Sequence, residues 1–430
     1  MYGLRCSAIV AVPRSPWRNT LTEVAASARS DCAPTDLRTA RQTLAFAGAA
    51  HALHDGYTDL IYILLPLWQT EFGLGYGMLA VLRALYAGAM AALQVPAGRL
   101  AERWDGRWVL ALGTLTAALG YALAGYSGGL VGLGLALAIS GAGSATQHPI
   151  ASAAVSRAYG RSARGPLGTY NFSGDLGKAS IPALTSLLLT RMPWRQSLGV
   201  LVALGVLAAI AIGLFMPPLA RRRPEADTAR VAAGAGRGGF SLLFSIGVLD
   251  TAVRMGLLTF LPFLLKTKGA SLPTIGLALS LIFLGGAAGK FTCGWLGSRV
   301  GVVWTVLLTE TGTAVLILAV LILPLAASLA VLPFLGVMLN GTSSVLYGTV
   351  PELAPAARIE HAFAVFYTGT IGSGALSPVL YGLLGDALGP RVATVATAAT
   401  ALAILPMAVI LGRFLDRDGT AAQGGSLSTP

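Results

Sequence analysis

The chain has 430 residues, of which 55% are hydrophobic and 11% are charged, and its mean hydropathy is +0.71. A soluble domain carries about 25% charged residues, so this chain lacks the polar surface that a water-soluble fold needs. Its 54 glycines fit helices that pack closely in lipid, where small residues let two backbones approach each other. The composition therefore predicts an all-α integral membrane protein.

The formal net charge of +12 does not indicate a nucleic-acid partner, because most basic residues lie in short polar gaps between apolar runs. That distribution is typical of topology signals. Cys6, Cys32 and Cys293 are too few and too scattered for a disulfide framework or a zinc site. We expect no metal and no cofactor.

Taken in chain order, apolar runs of about 20 residues, the length of a transmembrane helix, predict twelve spans. They cover residues 43–67, 76–99, 108–127, 129–153, 166–190, 194–217, 241–265, 272–296, 302–324, 328–350, 362–385 and 391–413. We expect two six-helix bundles, over 43–219 and 241–414, joined by a basic linker over 220–240. The remaining residues, 1–42 and 415–430, are expected to be disordered cytoplasmic tails.

The loops indicate an orientation. If the N-terminus is cytoplasmic, the inner segments carry 21 Lys and Arg residues and the outer loops carry 5. Cytoplasmic loops of membrane proteins are enriched in these residues. We therefore predict that both termini and the linker are cytoplasmic.

The two halves repeat a sequence pattern at the end of the second and eighth spans. Gly98-Arg99-Leu100-Ala101-Glu102-Arg103 ends the second span, and Gly294-Trp295-Leu296-Gly297-Ser298-Arg299 ends the eighth. A repeat of half the protein, with six helices in each copy, is how major facilitator transporters are assembled.

The first of these segments, followed by Gly106-Arg107, resembles the signature loop of the major facilitator superfamily. It departs from the signature by one inserted residue, Asp105, and by Glu102 in place of Asp. Within the superfamily the chain resembles the fosmidomycin resistance family through three segments of the first half. They are Ala50-His51-x-x-His54-Asp55 with Leu65-Pro66, Gly141-x-Gly143-Ser144 with His148-Pro149, and Phe172-x-Gly174-x-x-Gly177. The resemblance implies a major facilitator fold and a location in the inner membrane of a bacterium.

Charged side chains inside the spans are candidates for the transport site, because each costs about 2.5–3.5 kcal/mol in a bilayer. Polar residues share one face of each helix: His51, Asp55, Asp59 and Tyr62 in span one, Asn171, Asp175, Lys178 and Thr185 in span five, and Asp250 and Arg254 in span seven. Of these, Asp55, Asp175, Lys178, Asp250 and Arg254 lie near mid-membrane, where transporters bind substrate. We predict that Asn171, Asp175, Lys178, Asp250 and Arg254 bind substrate. The alternative is that Asp175–Lys178 and Asp250–Arg254 are structural pairs within their helices.

Arg83 in span two, His148 in span four and Asn340 in span ten are further substrate-binding candidates. For Arg83 the alternative is snorkelling to the outer surface, and for His148 it is a packing role. Lys290 and Glu310 lie nearer the cytoplasmic ends of their helices, where packing or snorkelling is expected.

Asp55 is the predicted proton-coupling residue, because Asp55 and Asp59 have no obvious partner in their own helix and Asp59 lies a turn further out, nearer water. His51, one turn toward the cytoplasm, would relay the proton, since histidine titrates near neutral pH. The alternative is that Asp55 stays ionised and bonds to a side chain such as Asn171.

Gly98, Glu102, Arg103 and Arg107 of the signature loop lie too far from mid-membrane to bind substrate. We expect Glu102, Arg103 and Arg107 to form charged contacts that hold the outward-open state, and the alternative is that they are only topology signals.

No Walker sequence, nucleophile elbow or zinc-protease motif is found in the sequence. We therefore predict a monomeric secondary transporter, not an enzyme, whose partners are a small-molecule substrate, protons and the lipid bilayer. Proton-coupled efflux of a drug or small organic anion is the leading interpretation. Import of a small organic anion by proton symport and a non-transporting sensor or assembly protein are the alternatives.

Overall fold

The computed structural model of the protein describes residues 36–219, 237–353 and 359–424, and these are helical almost throughout. The first half contains α1 (Leu37–Phe72), α2 (Tyr76–Arg103), α3 (Gly106–Tyr126), α4 (Leu130–Ser144), α5 (Gln147–Tyr159), α6 (Arg164–Leu188) and α7 (Trp194–Phe215). The second half contains α8 (Arg237–Thr267), α9 (Leu272–Val300), α10 (Val302–Ile322), α11 (Leu325–Leu353), α12 (Ile359–Leu388) and α13 (Pro390–Gly424). Counted with α4 and α5 as one broken span, they give twelve membrane-spanning helices in two bundles of six.

Span four is broken at Ala145 and Thr146, where the sequence predicted one continuous run. Pro149 explains the break, because proline has no N–H to donate to the carbonyl of the residue four positions earlier, Ala145.

Two helix ends extend into segments that we expected to be disordered tails. Asp36 caps α1, its carboxylate accepting from the backbone N–H of Arg38 at 3.3 Å, so the helix begins before the apolar run. At the other end α13 continues to Gly424. Hydropathy marks where a helix enters lipid and not where the helix begins. Residues 1–35 and 425–430, and residues 220–236 of the predicted linker, lie outside the described residues.

Ten helical stretches of the described chain are long and apolar enough to cross a membrane, with α4 and α5 counted as one. The two spans outside that set are α1 and α6, whose apolar runs are interrupted by charged and polar side chains. Large apolar side chains elsewhere face outward, for example Leu207 and Phe334, both about two-thirds exposed. Such a surface suits lipid and not water.

Pairs of helices related by the sequence repeat pack in the same way in each half. In the first half α1 packs on α6 and α2 on α4, and in the second half α8 packs on α12 and α9 on α11. The halves meet where α2 packs on α12 and where α6 packs on α9, and the repeat also relates these two contacts to each other.

The apolar core shows that the two ends of the molecule differ. At the end formed by residues 73–75 and 268–271, here called the joined end, one buried cluster contains side chains of both halves, such as Leu64 and Leu261. At the opposite end, formed by residues 104–105 and Gly301 and here called the divided end, each half has its own cluster, around Ile150 and around Leu346. The halves are therefore closed against each other at the joined end.

Four exposed tryptophans encircle the divided end. They are Trp104, Trp108, Trp295 and Trp304. Arg107 lies over the ring of Trp108 and Arg299 over that of Trp295, each about 5 Å from the ring centroid. Tryptophan is enriched at membrane–water interfaces, so these residues mark the level at which the helices leave the membrane.

Candidate functional site

A cavity of about 240 Å³ lies between the two halves near the middle of the helices. Four spans of each half contribute to its wall, namely spans one, two, four and five and their repeats seven, eight, ten and eleven. Its polar lining residues are Asp55, Thr58, Asp59, Arg83, His148, Asp175, Lys178, Thr251, Arg254, Asn340, Tyr347 and Thr370. This position between repeats is where secondary transporters bind substrate.

The structure brings most of the predicted site residues together in this wall. Those that line the cavity are Asp55, Arg83, His148, Asp175, Lys178, Arg254 and Asn340. His51 and Asp250 are buried directly behind Asp55 and Arg254. Asn171 does not line the cavity, because its side chain faces outward from α6, and it forms no bond with Asp55.

Asp55 is the centre of a buried cluster of side chains from three helices. His51 Nε2 and Lys178 Nζ each lie 3.2 Å from its carboxylate, and His148 Nε2 lies 3.7 Å away. The prediction that Asp55 has no partner in its own helix is wrong, because His51 of α1 contacts it. The other two partners lie on α5 and α6, where helical spacing within α1 could not indicate them.

The contacts of His51 require two protons on the His51–Asp55 pair. One lies on Nδ1, and the other lies on either Nε2 or the Asp55 carboxylate. Nδ1 lies 2.8 Å from the backbone carbonyl oxygen of Tyr170, and a carbonyl oxygen only accepts, so Nδ1 carries a proton. Nε2 then faces the Asp55 carboxylate, and the two bond only if another proton lies between them. This arrangement can hold a proton and pass it on.

Close packing of α1 against α6 positions this cluster. A Cβ added at Gly177 would overlap the carbonyl oxygen of Ala52. At Gly174 a Cβ would lie 2.7 Å from both Asp55 Oδ2 and His51 Cε1. Only glycine at these positions lets Lys178 approach Asp55.

Lys178 and Asp175 are not the isolated pair within one helix that their spacing suggests. They lie 3.9 Å apart, whereas Lys178 is nearer to Asp55. Asp175 is instead held by Lys290 of the second half, whose Nζ lies 2.6 and 2.8 Å from the two carboxylate oxygens. The expected packing or snorkelling role of Lys290 is replaced by an ion pair between the halves.

Arg83 is a buried cation held by neutral groups. It donates to the hydroxyl of Tyr62 and to the carbonyl oxygen of Gly374, both at 2.8 Å, and it contacts Met255 Sδ at 2.9 Å. Gly374 and Met255 belong to the second half, so Arg83 bridges the halves and does not snorkel outward. In the described part of the chain no carboxylate lies within ion-pair distance of its guanidinium.

Asp59 is a carboxylate of the cavity wall that was not among the predicted substrate-binding or proton-coupling residues. It is 5% exposed and lines the cavity, yet no described side chain pairs or bonds with it. Asp59 follows Asp55 by four residues on α1, and this spacing indicated that both lie on one face of the helix. Water is therefore less accessible to Asp59 than its position along the helix indicated.

Arg254 and Asp250 form the pair that their spacing predicts, with Nη2 and Oδ2 2.9 Å apart. The Nε of Arg254 is buried and has no partner among the described atoms. Glu310 of α10 is 2% exposed, and its Oε1 accepts from the hydroxyl of Thr342 at 2.8 Å. Glu310 is thus buried between helices, not directed toward the cytoplasmic surface as expected.

Asn340 donates to the carbonyl oxygen of Gly336 within α11 at 3.2 Å and presents its remaining polar atoms to the cavity. His51, Asp55 and His148 each offer one potential metal-ligand atom, all within 4.8 Å of one another. The ammonium group of Lys178 already contacts the same carboxylate, which favours a proton over a metal ion at this position.

The signature loop lies at the divided end, away from the cavity. Arg103 ends α2, and Arg107 contacts Asp105 at 3.7 Å and the carbonyl oxygen of Met216 at 3.3 Å. The inserted residue, Asp105, caps α3 and accepts from the backbone N–H of Arg107 at 2.9 Å and of Leu219 at 3.0 Å. It therefore ties the loop to the end of α7. Gly98 and Glu102 line a small pocket beside it.

Comparisons with known proteins agree with this architecture. The family model described as Major Facilitator Superfamily matches residues 46–249 and 243–426. The fosmidomycin resistance protein of Escherichia coli (strain K12) is 26% identical over 368 residues, which cover 82% of this chain and 88% of that protein.

Two kinds of solved transporter structure share the fold. A bacterial homolog of the human lysosomal transporter Spinster, in an inward-facing and unoccupied conformation, aligns with a TM-score of 0.76 and 16% identity, covering 89% of this chain and 99% of that chain. A mutant of the nucleoside transporter NupG aligns with a TM-score of 0.72 and 13% identity, covering 87% and 99%.

Proposed function

The chain belongs to the major facilitator superfamily and is a multi-pass secondary transporter, and we propose that it exports a small organic anion in exchange for protons. The location is the inner membrane of a bacterium, with both termini cytoplasmic and the protein acting as a monomer. The two bundles rock about the central cavity, which opens in turn to each side of the membrane.

The cavity wall holds three carboxylates, Asp55, Asp59 and Asp175, and three cations, Arg83, Lys178 and Arg254. Arg83 carries the argument for an anionic substrate. Taking a cation out of water without an opposite charge is costly, and the acceptors of Arg83 are all neutral. An anion that entered the cavity would supply the missing charge. Lys178 and Arg254 face the same space, and each of their bonds to a carboxylate is one that an anion can replace.

The arrangement of His51 and Asp55 supports proton coupling at this pair. The pair needs an extra proton for its hydrogen bond, and Lys178 connects it to the cavity. A proton gained from one side and lost to the other, as the bundles rock, couples transport to the gradient.

Export is supported by the resistance named in the relative from Escherichia coli, since efflux of a drug protects a cell. Proton symport of an anion into the cell is a second candidate, because a specific contact favours it. An anion that displaced Asp55 from Lys178 would leave a carboxylate without its partner, which would take up a proton together with the anion.

The signature loop at the divided end has a conformational role in this proposal. Glu102, Arg103 and Arg107 form charged contacts that stabilise the outward-open state and that change when the bundles rock. Asp105 caps α3 and thereby fixes the backbone from which the side chain of Arg107 extends.

Everted membrane vesicles distinguish the candidates. The protein is expressed, the vesicle interior is acidified, and fosmidomycin is added while a fluorescent dye reports the internal pH. Antiport predicts that the interior becomes more alkaline, whereas symport of the same anion into the interior makes it more acidic. Without a pH change of either sign, proton-coupled transport of this anion is wrong and a sensor or assembly role is favoured.

Asp55→Asn tests the proton site in the same vesicles. The amide keeps the shape of the side chain and removes its titration, so we expect fosmidomycin binding to remain and the pH change to disappear. Glu71→Gln is the matched control, because Glu71 lies on the same helix but pairs with Arg195 away from the cavity, at 2.6 Å. An Asp55→Asn variant with a normal pH change would rule out Asp55 as the coupling residue.

A further inference from the structure

Asp59 is a buried carboxylate for which the described part of the chain supplies no cation. It is 5% exposed and lines the central cavity. The other two carboxylates of the cavity wall are held by lysines, since Asp55 lies 3.2 Å from Lys178 and Asp175 lies 2.6 Å from Lys290. A buried charge without a partner is costly, so Asp59 can gain a partner from a molecule that enters the cavity. The function proposed above gives Asp59 no role.

Arg83 is the opposite case in the same wall, a cation for which the described residues supply no carboxylate. Its guanidinium donates to Tyr62, three residues after Asp59 on α1, and this bond of 2.8 Å brings the cation to the same part of that helix. Arg83 and Asp59 nevertheless do not lie within ion-pair distance of each other. They therefore leave one site for an anionic group and one for a cationic group in a single cavity.

Thr58, next to Asp59, adds a hydrogen-bond acceptor to this part of the wall. Its hydroxyl donates within the protein, to the backbone carbonyl oxygen of His54 at 3.0 Å or to the hydroxyl of Tyr86 at 3.3 Å. Because a hydroxyl has one proton and two lone pairs, only a lone pair is left for the cavity. Thr58 and Asp59 together therefore suit a ligand group that donates hydrogen bonds.

The rest of the cavity fits a small molecule with charged groups of both signs. The wall carries three carboxylates and three cations, so it has no excess charge of one sign. Met90, Leu258 and Phe283 also line it, and they offer apolar surface to a short alkyl chain between two charged groups.

We propose that the transported anion also carries a hydrogen-bond donor, best a cationic one such as an ammonium group, which binds Asp59 while the anionic group binds Arg83. The anionic part of this substrate rests on the proposed function. A ligand without the donor would leave Asp59 unpaired beside an occupied anion site. Such a site rejects analogues that lack the group it is built to bind.

A matched pair of phosphonates tests the proposal. The probes are 3-aminopropylphosphonate and butylphosphonate, in which a methyl group replaces the ammonium group at the end of a chain of the same length. Equilibrium binding to the purified full-length protein should be at least about tenfold tighter for 3-aminopropylphosphonate, although the methyl group is the more apolar. Equal affinities, or tighter binding of butylphosphonate, would overturn the proposal and leave transport of an anion unaffected.

Three variants assign the preference to its residues. Asp59→Asn should remove the preference by weakening the binding of 3-aminopropylphosphonate alone, whereas Arg83→Gln should weaken the binding of both probes. Asp175→Asn is the matched control, because it removes the same charge from the wall at a carboxylate that already has a lysine partner. It should keep the preference.

Equal loss of the preference in Asp59→Asn and Asp175→Asn would show that it reflects the overall charge of the wall, which would contradict a contact at Asp59. If neither probe binds to the wild-type protein, the anionic substrate of the proposed function is wrong, and the substrate with both groups is wrong with it.

Discussion

Lys178 lies between two carboxylates that the first half contributes to the cavity wall, those of Asp55 and Asp175. Its ammonium group lies 3.2 Å from Asp55 and 3.9 Å from Asp175, and its side chain is about one quarter exposed to the cavity. Lys290 contacts Asp175 from the other half but does not line the cavity. The two lysines therefore share a partner and differ in access to substrate.

Replacing either lysine with methionine separates these roles. We expect Lys178→Met to weaken fosmidomycin binding at least tenfold, which is about 1.4 kcal/mol, because a cation facing the substrate is lost. Lys290→Met removes the same charge from the neighbourhood of Asp175, so it is the matched control, and its affinity should change much less. Equilibrium binding to the purified variants measures the difference, and equal losses would show that Lys178 acts only through Asp175.

The sequence identified which residues of the site carry charge but not which residues they contact. The pair Asp250–Arg254 follows from helical spacing alone, because both partners lie one turn apart on one face. The partners of Asp55 and Asp175 lie on other helices, and that contact depends on how closely α1 approaches α6 and α6 approaches α9. Burial of Arg83 against neutral acceptors likewise depends on the packing between the halves.

At the scale of helices, the contact of α1 with α6 is the element that sets the geometry of the site. Gly177 faces the backbone of α1, whereas Gly168, nine residues earlier on α6, has open space where its Cβ would be. The sequence alone does not show which of the two glycines lies in a close helix contact.

Gly177→Ala should separate α1 from α6 and move Lys178 away from Asp55. Overpacking in a close contact costs about 1–3 kcal/mol, so we expect a lower thermal unfolding temperature in detergent and loss of transport. Gly168→Ala on the same helix should leave both unchanged. Thermal unfolding and vesicle transport of the two variants check this, and a stable, active Gly177→Ala protein would show that the helices can adjust.

Ten of the twelve spans follow from length and hydropathy, whereas charged and polar side chains interrupt the apolar runs of α1 and α6. The break between α4 and α5 was missed because a window of about 20 residues averages the polar residues before Pro149, from Thr146 to His148, with the apolar residues of α4. The start of α1 at Leu37 was missed because a cap, not apolarity, determines it. Caps and prolines therefore determine where a helix begins or breaks, and hydropathy averaged over a window does not detect them.

At the scale of the whole molecule, one carboxylate holds the halves together at the joined end. Asp386 of α12 accepts from the backbone N–H of Tyr76 at 2.6 Å and of Gly77 at 2.9 Å, at the beginning of α2. The N-terminus of a helix carries partial positive charge and unpaired N–H groups. This contact therefore stabilises the closed arrangement of the joined end.

Asp386→Ala should shift the protein toward the state that is open at this end. A loss of about 1–2 kcal/mol corresponds to a roughly five- to thirtyfold change in the ratio of states. In a protein whose native cysteines are replaced, Thr58→Cys in the cavity should then react several times faster with a membrane-impermeant maleimide in intact cells. Glu71→Gln, which changes a contact within one half at the same end, is the control. If Asp386→Ala leaves the labelling rate unchanged, Asp386 does not stabilise the closed state of the joined end.

The orientation of the whole molecule can be tested in the same cells. We expect Gly128→Cys, in the loop between α3 and α4, to react with the maleimide, because this loop lies at the joined end, which we predict faces outward. Ser162→Cys lies between α5 and α6 at the opposite end and should react only after the cells are permeabilised. The reverse result would mean that both termini lie outside.

Because the two halves share an apolar core at the joined end, opening of that end should change the heat capacity of the protein. Opening that end exposes to water side chains such as Leu64 and Leu261, which are now fully buried, and hydration of apolar surface raises the heat capacity. The attraction between such side chains weakens on cooling. In intact cells, the labelling rate of Thr58→Cys relative to that of Gly128→Cys in the outer loop should therefore rise as the temperature falls, and this ratio should depend on temperature in a curved way.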